Sequence, residues 1–277
     1  TESDVLELGI PQSLKVVVGK RLEALCDDCQ GMLTLASVIG RQFPFRLLLA
    51  LSEVEEEKLL DHIDEALAHH VIQEEPSGQA YRFASALYRQ ALYEGLSGPR
   101  RARLHRRVAE AMEELYSSRI EEVAPELAHH FSQIPTAEVA EKTVRYCLMA
   151  AERATRARAD AEAVRFLQSA LEAMEDAEGD VGVDKAQVLL QLGGAARAAG
   201  EENLAEETYH RCLSLQAERG DAAGVAWVRS LLADIAWPRW EYDTAAEHSR
   251  AGLAALGGLE TPLRYRLEFN LGWSLYQ

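Results

Sequence analysis

The sequence predicts a mainly α-helical protein with one small β-hairpin, in which short helices come first and repeated helical pairs follow. Three observations predict this class. The 277 residues are rich in Ala and Leu and only 7% aromatic, a composition that favours helices over sheets. Apolar residues recur at helical spacing through most of the chain. In the second half, a two-helix pattern returns every 39–42 residues, which indicates a solenoid.

The composition restricts the classes of function. The net charge is −16 and the sequence pI is near 5.0, so the chain is poorly suited to general attraction toward nucleic acid or an anionic membrane. No apolar run reaches the roughly 18 residues that span a bilayer, and no signal peptide is recognisable. The four cysteines are too few and too scattered for a disulfide framework, which predicts a cytoplasmic location: Cys26, Cys29, Cys147 and Cys212. The opening TESD and the closing YRLEFNLGWSLYQ, an unfinished helical pattern, predict a piece of a longer protein.

The first predicted element is a helix over Ser13–Cys29, with Pro11 just before it and Ser13 as its N-cap. Its apolar residues follow at spacings of 4, 4, 3 and 4 and therefore share one face: Leu14, Val18, Leu22, Leu25 and Cys29.

The Gly19-Lys20 pair within this helix is similar to the end of a phosphate-binding loop. Such a loop needs a glycine five residues before Gly19 and a hydroxyl residue after Lys20. Leu14 and Arg21 occupy those positions, so the stretch lacks the requirements for nucleotide binding.

Three short motifs are typical of metal or redox sites, and each also has a structural interpretation. The Cys26-x-x-Cys29 pair has no second pair, no histidine at ligand spacing and no thioredoxin-like context, so we interpret its thiols as structural. The adjacent histidines His69-His70 and His129-His130 point about 100° apart on a helix and cannot easily face one ion. The sequence therefore predicts no catalytic, cofactor-binding or metal-binding residues.

Residues 1–96 have the element order of a winged helix. The stretches MLTLASVIG and FPFRLLLALS are short helices, and a third spans Glu53–His70 with Ser52 as its N-cap. The third helix carries an apolar face: Val54, Leu59, Leu60, Ile63 and Leu67. Two β-like runs, VIQEE and AYRFA, flank a Pro-Ser-Gly turn and predict a hairpin over residues 71–84.

The charge of the third helix opposes DNA binding by this module. Seven acids stand against one Lys58 there: Glu53, Glu55, Glu56, Glu57, Asp61, Asp64 and Glu65. Because phosphate neutralisation supplies most of the affinity for DNA, this helix would be repelled. We expect it to face a basic protein surface or the arginines at 100–107 instead.

Residues 97–139 predict a connecting helical pair. The first helix, GPRRARLHRRVAEAMEELYSS, carries five arginines near its start: Arg100, Arg101, Arg103, Arg106 and Arg107. They fit either an anion-binding patch or a solvated face that pairs with acidic neighbours, with Leu104, Val108 and Met112 buried beneath. The second helix, EEVAPELAHHFSQI, ends at Pro135.

Residues 140–277 predict about three and a half helical pairs. In KAQVLLQLGGAARAAGEENLAEETYHRCLSL, small residues at Gly193, Ala205 and Cys212 let two helices approach, and Leu189 and Tyr209 fill the gaps. Corresponding small residues recur at spacings of 42, 40 and 39: Ala151, Gly193, Ala233 and Gly272. The pattern resembles tetratricopeptide repeats in a long-period form, with matches at Leu189, Gly193, Gly200, Ala205 and Tyr209. The terminal proline of the standard motif is largely missing. The resemblance implies a right-handed solenoid with a concave groove.

Taken together, the chain resembles the region downstream of the nucleotide-binding core in signal-transduction ATPases with numerous domains, including large bacterial transcription regulators and cyclase fusions. The stretches that carry the resemblance are VVVGKRLEALCDDCQGMLTLASVIGRQF, YRFASALYRQALYEGLS, RARLHRRVAEAMEEL and ELAHHF. The family's Walker motifs match no position here.

The resemblance implies a non-catalytic regulatory arm that needs no cofactor and does not bind ATP by itself. Its expected partners are an upstream ATPase domain of the same chain and a protein or small-molecule effector in the repeat groove. The alternative is a stand-alone scaffold of tetratricopeptide type. An enzyme is disfavoured because no catalytic residues converge.

Overall fold

A computed structural model describes residues 12–177 and 179–276. The chain divides into two compact units, Thr1–Pro135 and Thr136–Gln277. Residues 97–135 belong to the first unit. The division into parts of 1–96, 97–139 and 140–277 stays a prediction.

The first unit consists of seven α-helices and three short strands in its described residues. They are α1 (Gln12–Glu23), α2 (Asp27–Ile39), β1 (Gln42–Pro44), α3 (Phe45–Leu51), α4 (Glu56–Ala68), β2 (Ile72–Glu74), β3 (Ala80–Phe83), α5 (Ala86–Glu94), α6 (Gly98–Leu115) and α7 (Ala124–Ser132). Helix α2 lies at the centre, in contact with α4, α5 and α6. Its inward face, with Cys29, Leu33 and Ala36, is completely buried.

The three strands form an antiparallel sheet in the order β1-β3-β2. Strands β2 and β3 are the hairpin predicted over residues 71–84, with Ile72 opposite Phe83. Strand β1 was not predicted, because three residues ending in a proline give too little alternation to recognise. It pairs Phe43 with Tyr81, and the Phe43 ring stacks on Tyr81 and tilts against Phe83 in the core.

The prediction of one helix over Ser13–Cys29 is wrong beyond Glu23, because α1 ends there and, after a short non-helical segment, α2 begins at Asp27. Cys26 caps the new helix: its sulfur accepts a hydrogen bond from the Cys29 N–H at 3.3 Å, and its own N–H donates to Glu65 at 2.8 Å. Ser13 lies inside α1, so its N-cap role is also wrong, and Pro11 lies outside the described residues. The predicted apolar face is buried at four positions, namely Val18, Leu22, Leu25 and Cys29.

The predicted N-cap role of Ser52 is wrong as well. Helix α4 begins at Glu56, whereas Ser52 ends α3 and its hydroxyl donates to the Leu49 carbonyl at 2.9 Å. The predicted apolar face is only partly buried, since Leu60 is 38% exposed while Ile63 is buried.

The second unit is a series of seven α-helices in its described residues: α8 (Ala140–Arg156), α9 (Asp160–Asp176), α10 (Lys185–Ala198), α11 (Glu202–Glu218), α12 (Ala222–Ala236), α13 (Tyr242–Leu256) and α14 (Pro262–Tyr276). Each helix packs mainly against the helix before it and the helix after it, which is compatible with a helical repeat. Short 3₁₀ turns cover Ser117–Arg119 in the first unit, and Ala137–Val139 and Trp237–Arg239 in the second.

Close approach between α10 and α11 depends on one glycine. Gly193 is buried, and a Cβ at this position would overlap the ring of Tyr209, which is only 2% exposed. The corresponding residues Ala151 and Ala233 are buried too. Gly272 is the exception, since it is exposed on α14 with open space around it. The close-packing role of Gly272 stays a prediction, because the second helix of its pair is not among the described residues.

Candidate functional site

A cavity of about 730 Å³ lies in the second unit, between the first helices of two successive pairs. Helices α8 and α10 supply most of its lining, and the segment before α10 closes one side. Leu148, Met149 and Val188 are among its apolar residues. Ligand pockets are commonly 300–1,000 Å³ with mostly apolar walls, so the size and lining are suitable for a small molecule or part of a peptide.

Polar side chains of α8 and α10 line part of this cavity. Gln187 and Gln191 are exposed, one turn apart on α10, so both amides can donate and accept hydrogen bonds. Gly194 follows on the same helix, and no atom lies within 4 Å of the position that its Cβ would take. A ligand can therefore approach the α10 backbone closely. Arg156 pairs with Glu152 at 3.6 Å on α8.

Asp184 fixes the start of α10 beside the cavity. Its carboxylate accepts a hydrogen bond from the Ala186 N–H at 3.0 Å and pairs with Arg219 at 2.6 Å. The hydrogen bond from Arg219 is the main reason that the pKa of Asp184 is lowered. Asp184 therefore places a fixed, ion-paired carboxylate at the edge of the cavity.

A second cleft, of about 670 Å³, lies within the first unit among α2 to α6. Arg100 and Arg107 of the predicted basic cluster line it. Arg107 donates to the Leu51 carbonyl at 2.8 Å and pairs with Glu53 at 3.3 Å. Arg101 instead lies 4.5 Å from the centre of the Tyr93 ring. Arg101 and Arg107 thus make separate contacts, while Arg103 is exposed.

The two histidine pairs lie in different environments. His69 ends α4, and His70 has a positive φ of 57°. His129 and His130 meet His105 of α6, with ring centroids 5.8 Å and 5.1 Å from it. Sequence reasoning missed His105, because it lies 24 residues before the pair, on another helix.

A hydrogen-bonded chain joins the buried histidines to a tyrosine. Nδ1 of His105 lies 2.8 Å from Nδ1 of His130, and the Tyr93 hydroxyl lies 2.9 Å from Nε2 of His105. Burial lowers the pKa of His105 to about 4 and that of His130 to about 3. Neutral rings can share one proton across the Nδ1–Nδ1 contact, whereas two cations could not. Within residues 12–177 and 179–276, no group of three or more His, Cys, Asp or Glu side chains is suited to a metal ion.

The environment of the cysteine pair raises the pKa of both thiols. The Cys26 thiol donates to the Glu65 carboxylate at 3.0 Å, and this hydrogen bond is the main reason that its pKa is raised. Burial raises the pKa of Cys29 to about 12. A raised pKa lowers the fraction of thiolate, which is the reactive form of a cysteine. Cys26 is exposed, whereas Cys29 is buried. No helix in the described part of the chain is long and apolar enough to cross a membrane.

Comparisons with known proteins give similarities to solved structures. No protein-family model and no curated protein matches the chain. A similar solved structure is the Signal Transduction ATPase with Numerous Domains protein with a tetratricopeptide repeat sensor from Pyrococcus horikoshii. The match covers 96% of this chain and 55% of that chain, at 11% identity and a TM-score of 0.28. This chain thus spans just over half the length of that protein.

Proposed function

We propose that this chain is a non-catalytic regulatory arm of a multidomain signal-transducing ATPase or transcription regulator. In this proposal, the second unit holds a protein or small-molecule effector in its groove, and the first unit is a winged-helix module that faces protein. The observation that carries the proposal is the cavity of about 730 Å³ between α8 and α10.

The winged-helix assignment is supported by the order of elements. Helix α2, strand β1, helices α3 and α4 and the β2–β3 hairpin follow one another, and the strands lie in the order β1-β3-β2. A protein-facing role is supported by charge, because α4 carries five acids against one Lys58: Glu56, Glu57, Asp61, Asp64 and Glu65. Helix α4 would repel DNA phosphates.

The assignment of the second unit to tetratricopeptide-type repeats is supported by its packing. From α8 to α14, each helix packs against the next helix in the chain, which makes six contacts between neighbouring helices. The small residue Gly193 on α10 meets the large ring of Tyr209 on α11, at two positions of the sequence motif. A groove lined by the first helices of successive pairs is how such solenoids offer a concave surface.

A stand-alone scaffold of tetratricopeptide type remains the second candidate, and it is favoured by the same cavity. The two candidates differ in what is encoded upstream of Thr1. A Walker sequence in the same reading frame supports the regulatory arm, and an upstream sequence without one supports the scaffold.

Cavity filling tests the binding function. In the Gly194→Trp variant, the indole would occupy the open space beside α10. The assay is the melting temperature of the 277-residue chain with a panel of metabolites and short peptides. A compound at 100 times its Kd stabilises by about 2.7 kcal/mol, and such a gain raises the melting temperature by roughly 5–10 °C.

The control is Gly19→Trp, another helical glycine with open space, in the other unit. We expect the control to keep the ligand-induced shift and Gly194→Trp to lose it. A panel without any stabilising compound, or a shift that persists in Gly194→Trp, would count against the proposed groove.

A further inference from the structure

The same turn joins the two helices of three successive pairs in the second unit. Arg158, Gly200 and Trp240 each lie two residues before the second helix of their pair. Their φ angles are positive, at 60°, 80° and 64°. In each turn, the N–H of the following residue donates to the carbonyl five residues before it, at 2.9, 2.8 and 3.1 Å. The three positions are therefore structurally equivalent.

Glycine is the residue best suited to this turn. A left-handed backbone brings the Cβ of any other residue too close to the following carbonyl oxygen, and glycine has no Cβ. Gly200 is thus the unstrained member of the three, whereas Arg158 and Trp240 hold a strained backbone. The Trp240 ring contacts the ring of Tyr242, with centroids 6.0 Å apart. Backbone strain of this kind is frequent at functional sites, so the side chain of Arg158 is a candidate for a function.

The side chain of Arg158 lines the cavity between α8 and α10. Within residues 12–177 and 179–276, no carboxylate forms an ion pair with its guanidinium. The second arginine of the lining, Arg156, already pairs with Glu152 at 3.6 Å. A guanidinium is always charged and offers five N–H donors. Arg158 therefore provides a cation at the cavity whose hydrogen-bond donors are open to a ligand.

The carboxylates of the lining restrict the charge of such a ligand. Asp184 pairs with Arg219 at 2.6 Å. Asp160 lies in the first turn of α9, where the N-terminal N–H groups of the helix favour a negative charge. Together with Glu152, these acids would repel a ligand that carries several negative charges. A ligand with a single negative charge, directed at Arg158, fits this distribution best.

We propose that the cavity between α8 and α10 binds an organic monocarboxylate with an apolar body, and that the guanidinium of Arg158 holds its carboxylate group. This inference rests on the proposed effector groove and names the chemical class of the effector. A planar guanidinium can donate two parallel hydrogen bonds to one carboxylate. The cavity of about 730 Å³ has room for the apolar body beside Leu148, Met149 and Val188.

Matched ligands test this proposal on the 277-residue chain. The probes are 3-phenylpropionate and hexanoate, each compared with its uncharged primary amide, and adipate, which adds a second carboxylate to the chain length of hexanoate. Saturation-transfer NMR titrations at neutral pH measure the Kd. We expect each monocarboxylate to bind roughly tenfold or more tightly than its amide, because only the carboxylate pairs with the guanidinium. Adipate should bind several-fold more weakly than hexanoate, because its second charge meets the acids of the lining.

Arg158→Gly is the test variant, and Trp240→Gly is its matched control at the equivalent turn position. Arg158→Gly should raise the Kd of both monocarboxylates roughly tenfold, to the level of the amides. It should also raise the melting temperature by roughly 2–4 °C, because glycine relieves the left-handed backbone. Lost binding therefore cannot result from unfolding. Trp240→Gly should leave the Kd unchanged, since Trp240 does not line the cavity.

The outcomes separate this inference from the proposed groove. Equal affinity for carboxylate and amide, unchanged carboxylate binding in Arg158→Gly, or no binding by any probe would overturn the carboxylate assignment. The groove itself is decided by the melting-temperature panel with Gly194→Trp. A neutral or cationic compound whose stabilising effect is lost in Gly194→Trp but kept in Arg158→Gly would support the groove and refute the carboxylate effector.

Discussion

Gly193→Ala should destabilise the second unit, whereas Gly194→Ala, one residue further along α10, should stabilise it. A Cβ at position 193 would overlap three ring atoms of Tyr209, while a Cβ at position 194 would have no neighbour within 4 Å. Both substitutions replace a helical glycine and gain about 0.5–1 kcal/mol in helix propensity. That gain cancels in the comparison, and the remaining difference is the overlap with Tyr209.

Overpacking a well-filled core typically costs about 1–3 kcal/mol. Gly193→Ala should therefore be about 1–3 kcal/mol less stable than Gly194→Ala. Urea unfolding followed by circular dichroism at 222 nm measures this difference. Tyr209→Leu should reduce the penalty of Gly193→Ala in a double-mutant cycle, because it removes the overlapping ring. Equal stability of the two alanine variants would refute the assigned contact between α10 and α11.

Three further predictions concern packing, pH and DNA. Ala205→Trp should cost about 1–3 kcal/mol or more in urea unfolding, because Ala205 is completely buried. Glu207→Trp is its control and should change the stability by less than about 0.5 kcal/mol, because Glu207 is exposed on the same helix. In the folded chain, the pKa of His105 (about 4) and that of His130 (about 3) lie below the ordinary value of 6.5. The unfolded chain therefore binds more protons than the folded chain in acid, and the first unit should lose stability as the pH falls from about 6.5 toward 4. His130→Leu should flatten this slope in unfolding experiments and the exposed His69→Ala should not; equal slopes would contradict it. Duplex DNA in 50 mM salt should not bind the chain in a fluorescence anisotropy titration. Tight binding that is lost on replacing residues of α4 would make the first unit a DNA-reading module.

Periodic packing was predictable because it repeats. The small and large residues Gly193, Ala205, Tyr209 and Cys212 were assigned to a close helix contact from spacing alone, and all four are buried. Their environment is set by neighbours within one repeat, which a sequence pattern records directly.

Features fixed by distant contacts were not predictable in the same way. Near the break after Glu23, Glu65 accepts a hydrogen bond from the backbone N–H of Cys26, which lies 39 residues away in the sequence. The contact between His105 and His130 joins α6 to α7 across 25 residues. The cavity between α8 and α10 likewise joins residues about 40 positions apart, such as Glu152 and Gln191.

ATP hydrolysis by the protein that contains this chain together with its expected upstream ATPase domain tests the regulatory role most directly. The measurement compares the unaltered sequence with Gly194→Trp, and Gly19→Trp serves as the control. The rate is measured with and without a compound that stabilises the chain in the melting-temperature assay. We expect the compound to change the hydrolysis rate several-fold in the unaltered sequence and in Gly19→Trp, and to have no effect in Gly194→Trp, because the indole occupies the cavity. An equal response in all three proteins, no response of the unaltered sequence, or an upstream sequence without a Walker motif would contradict a regulatory arm that acts through this groove.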